Sequence, residues 1–107
     1  MEDSLRCFAA GDEEVHVRAE CDDEIQLQKL ENAVASSLTL RRLVVDQGTE
    51  CIMLPVMEAL ERGFRRNPST LKELTIVGLL LMPVTQTLAE MIAVMPLAKL
   101  TLHHNEL

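Results

Sequence analysis

The sequence predicts an α/β fold: a short solenoid of strand–helix repeats, with four short parallel strands and the helices gathered on one side. Three observations carry this expectation. A six-residue pattern of one apolar residue, two polar or small ones and two apolar residues separated by one occurs three times. It stands at Leu40-Arg41-Arg42-Leu43-Val44-Val45, at Leu71-Lys72-Glu73-Leu74-Thr75-Ile76 and at Leu97-Ala98-Lys99-Leu100-Thr101-Leu102. The copies start 31 and 26 residues apart, close to a period of about 20–29 residues that holds one strand and one helical return. Between them, apolar residues recur at helical spacing. A unit of that length cannot bury its apolar face alone, so neighbours must stack.

The elements follow in order. Residues 1–11 read as an N-terminal capping helix: Asp3 or Ser4 serves as the cap, Leu5, Phe8 and Ala9 give an apolar face, and Gly11 ends it. Residues 12–107 then form a segment of three to four units. Counting back about 28 residues from Leu40 reaches Asp12-Glu13-Glu14-Val15-His16-Val17, a degenerate first copy that has lost its leading apolar residue. Terminal repeats are often atypical because one side has no neighbour. A first helix is expected over Asp23–Ser36, with Ile25, Leu30, Ala33 and Val34 on its stripe. A second carries Pro55 in its first turn and Val56, Met57, Leu60 and Phe64 on one face, and stops at Asn67-Pro68-Ser69. A third, between Pro83 and Pro96, presents Val84, Leu88, Met91, Ile92 and Met95. The rival fold is a non-repeat α+β domain, which would show antiparallel strands.

Composition narrows the function. The 107 residues suffice for one domain. There is no Trp or Tyr, Phe stands only at positions 8 and 64, and Leu is the commonest residue. A core of Leu, Val, Ile, Met and Ala suits thin repeated layers better than a large irregular pocket. The net charge of −7 repels a phosphate backbone and argues against nucleic acid as a partner. The acidic runs Gly11–Glu14 and Glu20–Glu24 are either solvated surface or a docking surface for a basic partner. Cys7, Cys21 and Cys51 are odd in number and widely spaced, which fits buried thiols in a reducing compartment. The longest apolar run, Val77–Val84, is interrupted by Gly78 and Pro83, and no basic segment leads into an apolar one near the start. These features lead to the expectation of a soluble, cytoplasmic protein with no membrane partner.

The segment from Leu97 to Leu107 matches L-x-x-L-x-L-x-x-N-x-L at every specified position, through Leu97, Leu100, Leu102, Asn105 and Leu107. With the longer helix-bearing units and Asn67-Pro68-Ser69-Thr70-Leu71 leading into a strand, residues 12–107 resemble the leucine-rich-repeat family, ribonuclease-inhibitor-like type. The chain departs from that pattern at the asparagine position, which is Gly48 in the second unit and Leu79 in the third. There the turn amides must find other partners. The run Leu79, Leu80 and Leu81 is apolar where a solvated turn is expected, and it reads either as buried or as a contact surface. The resemblance implies a scaffold that binds a protein on the face formed by its strands. Some members stimulate a GTPase, but no motif here carries that activity over.

Alternate side chains of a strand point to opposite faces. If Leu and Val of each unit face the core, three outward columns remain, and these are the candidate partner-binding residues. The first is Glu14, Arg42, Glu73 and Lys99; the second His16, Val44, Thr75 and Thr101; the third Arg18, Asp46, Val77 and His103. The first column alternates in sign, and strands lie about 4.8 Å apart. It therefore reads as a self-neutralising ladder or as a charged recognition strip.

No catalytic, cofactor-binding or metal-binding residues are expected. His16 and His103 fall on the first and last strands, roughly 14 Å apart by strand spacing, and adjacent His103 and His104 point opposite ways on a strand. No zinc-protease helix, phosphate-binding glycine loop or nucleophile elbow is present. The last pattern ends at Leu107 within a unit, which leaves Leu97, Leu100, Leu102 and Leu107 as a half-covered layer. Three readings are open: a piece of a longer solenoid, a homodimer formed through the C-terminal end, or a partner that completes the layer. Together with Leu79, Leu80 and Leu81, residues Leu100, Leu102 and Leu107 form the second candidate surface.

Overall fold

A computed structural model describes residues 2–19, 24–47, 54–67, 71–78, 82–93, 95 and 97–104. The elements are α1 (Glu2–Ala9), β1 (Glu14–Ala19), α2 (Glu24–Ser36), β2 (Arg42–Gln47), α3 (Leu54–Arg66), β3 (Glu73–Gly78), α4 (Met82–Ala93) and β4 (Lys99–His104). The four strands form one parallel sheet in the order β1-β2-β3-β4. The class is α/β, and the antiparallel rival is excluded.

The strands form where β-branched and Leu residues take every second place, with mostly polar residues between them and Val44 and Val77 as apolar exceptions. Val15, Val17, Leu43, Val45, Leu74 and Ile76 are at most 1% exposed, and each intervening residue is exposed or half-buried. One face of the sheet therefore packs against helices and the other does not. The core closes with Leu30 and Val34 of α2, with Val56, Met57, Leu60 and Phe64 of α3, and with Val84, Leu88 and Met91 of α4. Leu40 and Leu71, the leading leucines of their patterns, are fully buried, whereas Leu97 is only partly so.

The same turn recurs before each strand. The carbonyl of Glu13 accepts the N–H groups of Arg41 and Arg42, that of Arg41 accepts Lys72 and Glu73, and that of Lys72 accepts Ala98 and Lys99. One carbonyl per unit thus holds two amides of the next, which extends each ladder by a step before the strand begins. Asn67, expected only as a helix stop, also ties neighbouring turns together. Its Nδ2 donates to the Ser37 carbonyl at 2.5 Å, and Ser37 Oγ accepts the Leu40 amide at 3.2 Å.

Helix α1 ends as expected at Gly11, whose φ is +76°. The Asp12 amide reaches back to the Cys7 carbonyl and the Gly11 amide to that of Phe8, both at 3.1 Å. This is a Schellman closure, in which a left-handed residue turns the chain out of the helix. It accounts for the missing leucine at position 12, because that residue completes the helix terminus instead of leading a strand. The helix starts earlier than the cap reading places it, so Asp3 and Ser4 lie inside it, and Ala9 is exposed. Phe8 is buried in the shared core, with Leu5 and Cys7 packed against it. Ile25, assigned to the α2 stripe, is 66% exposed. It lies five residues from Leu30, about 140° around a helix of 3.6 residues per turn, and so faces away from the core.

Helices α2 and α3 meet closely at Gly63. A Cβ there would fall 2.8 Å from the Val34 Cβ and 2.9 Å from the Glu31 carbonyl oxygen. Above this contact, Glu31 receives Arg62 at 2.5 Å and Arg66 at 3.4 Å. Gln28 donates to Glu31 at 3.5 Å and to Asn32 at 3.3 Å.

Candidate functional site

The uncovered sheet face is the surface to which the columns belong, and the strand register aligns all three. Glu14 stands opposite Arg42, Arg42 opposite Glu73, and Glu73 opposite Lys99. His16, Val44, Thr75 and Thr101 follow in register, as do Arg18, Asp46, Val77 and His103. Every sequence-derived residue of this face is therefore brought onto one surface by one parallel ladder.

Its electrostatics are less uniform than the sign alternation implies. Arg42 and Glu73 pair at 2.9 Å. Glu14 turns along its own strand towards His16, 3.6 Å away, and among the described residues no ion pair joins Arg18 to Asp46. Just before the strands, Arg41 and Glu13 approach at 3.8 Å. The centre of the face, Val44, Thr75, Val77 and Thr101, is half-buried and uncharged, with the charges at its margins. The strip therefore has an uncharged middle of two valines and two threonines inside a charged rim. The His16–Glu14 pair is solvated, with side chains 70% and 51% exposed, so it sits in no enclosed pocket where substrate and water could be sorted.

The second candidate surface is partly described. Leu100 and Leu102 of β4 are 40% and 46% exposed, although their register partners Leu74 and Ile76 are fully buried. Leu79, Leu80, Leu81 and Leu107 lie outside the described residues. Among the described residues, no group of three or more His, Cys, Asp or Glu could hold a metal ion. No helix among them is long and apolar enough to cross a membrane. The residues that sequence reasoning missed are Asn67, which ties the end of α3 to the Ser37 carbonyl, and Gly63, which lets α3 approach α2 closely. The signal for Gly63 was available: a glycine inside an otherwise apolar helical face marks a close approach of backbones.

No protein-family model, curated protein or solved structure matches the chain.

Proposed function

We propose that the chain is a leucine-rich-repeat solenoid of the ribonuclease-inhibitor-like type, and that it works as a cytoplasmic protein-interaction module rather than an enzyme. The observation that carries this reading is the bare face of an all-parallel sheet. Parallel sheets are ordinarily covered on both faces and have nearly continuous apolar strands. Here β1, β2 and β3 alternate buried residues with exposed or half-buried ones, and the outward side chains of all four strands stand in aligned columns. Such a surface is already ordered before a partner arrives, which lowers the entropic cost of binding. The recurring turn carbonyls of Glu13, Arg41 and Lys72 support the repeat reading independently of the leucine pattern.

The test is quantitative affinity capture with three forms of the chain: wild type, Val44→Glu on the bare face, and Arg65→Ala on α3. The same partner should be retained by wild type and Arg65→Ala and lost with Val44→Glu. A partner held equally by all three would overturn the assignment of the face. A second reading, an assembly subunit that associates through β4, is favoured by the exposure of Leu100 and Leu102.

A further inference from the structure

Resting on the repeat reading above, we propose that the β4 edge binds β1 of a second copy of this chain, head to tail. The elements run as four helix–strand pairs, α1β1 to α4β4, with β1 and β4 at the two edges of the sheet. The two edges are complementary. The first outward column reads Glu14, Arg42, Glu73, Lys99, so a β1 placed beside β4 in the same register sets Glu14 of the next copy opposite Lys99. The sign alternation then continues across the junction without a break. One residue along, the register sets Val15 and Val17 of the incoming strand, already buried within their own copy, in line with Leu100 and Leu102, which among the described residues are the core-side residues of the sheet left exposed.

The backbone repeats the match and selects the parallel orientation. The carbonyls of Glu13, Arg41 and Lys72 each accept two amides from the following unit. The Ala98 carbonyl holds the equivalent place before β4, and among the described residues no turn amide donates to it. An incoming β1 would supply the amides of Glu13 and Glu14. Its own α1 would then stand between the two strands as α2 stands between β1 and β2. A symmetric alternative, antiparallel β4 on β4 centred at Thr101, sets Lys99 against His103 and gains no opposite charge. Because the contacting surfaces differ, the association is heterologous and grows into an open series or closes as a ring.

Sedimentation velocity and light scattering on the full chain test this across a wide concentration range. The expected mass rises past twice the 12.0 kDa of one copy. Lys99→Glu and Glu14→Lys should each weaken association about tenfold, because like charges replace opposite ones across a strand pair. Mixing the two variants restores both junctions, an outcome that misfolded variants could not produce. Leu102→Ser, which leaves the charge column intact, should also weaken association. A wild type that stays monomeric throughout overturns the proposal. So does a species that stops at two copies and ignores Glu14→Lys. Val44→Glu should leave association unchanged, which separates failure of this junction from failure of the bare-face reading.

Discussion

At the scale of single residues, the most constrained position is Gly63. An added methyl meets a backbone carbonyl as well as a side chain, and a carbonyl can retreat only if α2 moves. Alanine in place of glycine gains up to about 1 kcal/mol of helix propensity, whereas overpacking a close contact costs about 1–3 kcal/mol. The clash should win, so Gly63→Ala should lower the urea midpoint; an unchanged or higher midpoint would show that the helices separate freely. Glu31 works on the same seam with electrostatics. The hydrogen bond from Arg62 holds its carboxyl below the ordinary 4.5; burial opposes this, while the charges of Arg62 and Arg66 and the Gln28 amide assist. With the folded value depressed, the stabilisation is present above the unfolded value and is lost as pH falls through the folded one. Glu31→Gln should therefore melt below wild type at neutral pH, and the gap should close as pH drops below 4.5. A gap that persists in acid would assign the role to packing.

At the scale of elements, the strands were legible because one alternation fixes both their face and their register. Val15, Leu43, Leu74 and Leu100 align in register as their shared pattern requires. The helices were legible in position but less so in orientation. Ile25 was assigned inward by apolarity alone, while Leu27, Leu30, Ala33 and Val34, at helical spacing, are packed into or against the core. The side-chain bond from Asn67 to the Ser37 carbonyl crosses 30 residues, a distance over which local pattern carries no signal. The charge column was legible as an order of residues but not as a set of bonds, since side chains choose among neighbours only in three dimensions. Arg42 and Glu73 are 61% and 38% exposed, so their pair is worth about 0.2–1 kcal/mol at most. Arg42→Glu should cost that much in a urea melt, and more at low salt. Exchanging the two charges should restore only part of it, because the swapped residues then face like charges in Glu14 and Lys99. Full restoration would show the column to be no more than isolated pairs.

At the scale of the whole molecule, the sheet has layers of unequal cover, and local stability should follow them. A stacked repeat draws its stability from its own layer and from the interface on either side. β2 and β3 have strands on both sides and inner residues at most 1% exposed. β1 has one strand neighbour, but α1 packs beside it and buries Phe8 in the shared core. β4 also has one strand neighbour, and Leu100 and Leu102 are 40% and 46% exposed. Amide hydrogen exchange on dilute protein should therefore rank β2 and β3 as slowest, β1 next and β4 fastest. Opening free energies in one molecule span the range from near zero to the global value, and least-covered elements lie at the low end. If the junction between copies forms, raising the concentration should slow exchange in β4 and β1 together and leave β2 and β3 nearly unchanged, since only the two edge strands gain a neighbour. Slowing confined to β4 would point instead to symmetric pairing of that strand with itself. Uniform exchange across all four strands would show that the chain opens as one cooperative unit, and the layered account of its stability would then fail.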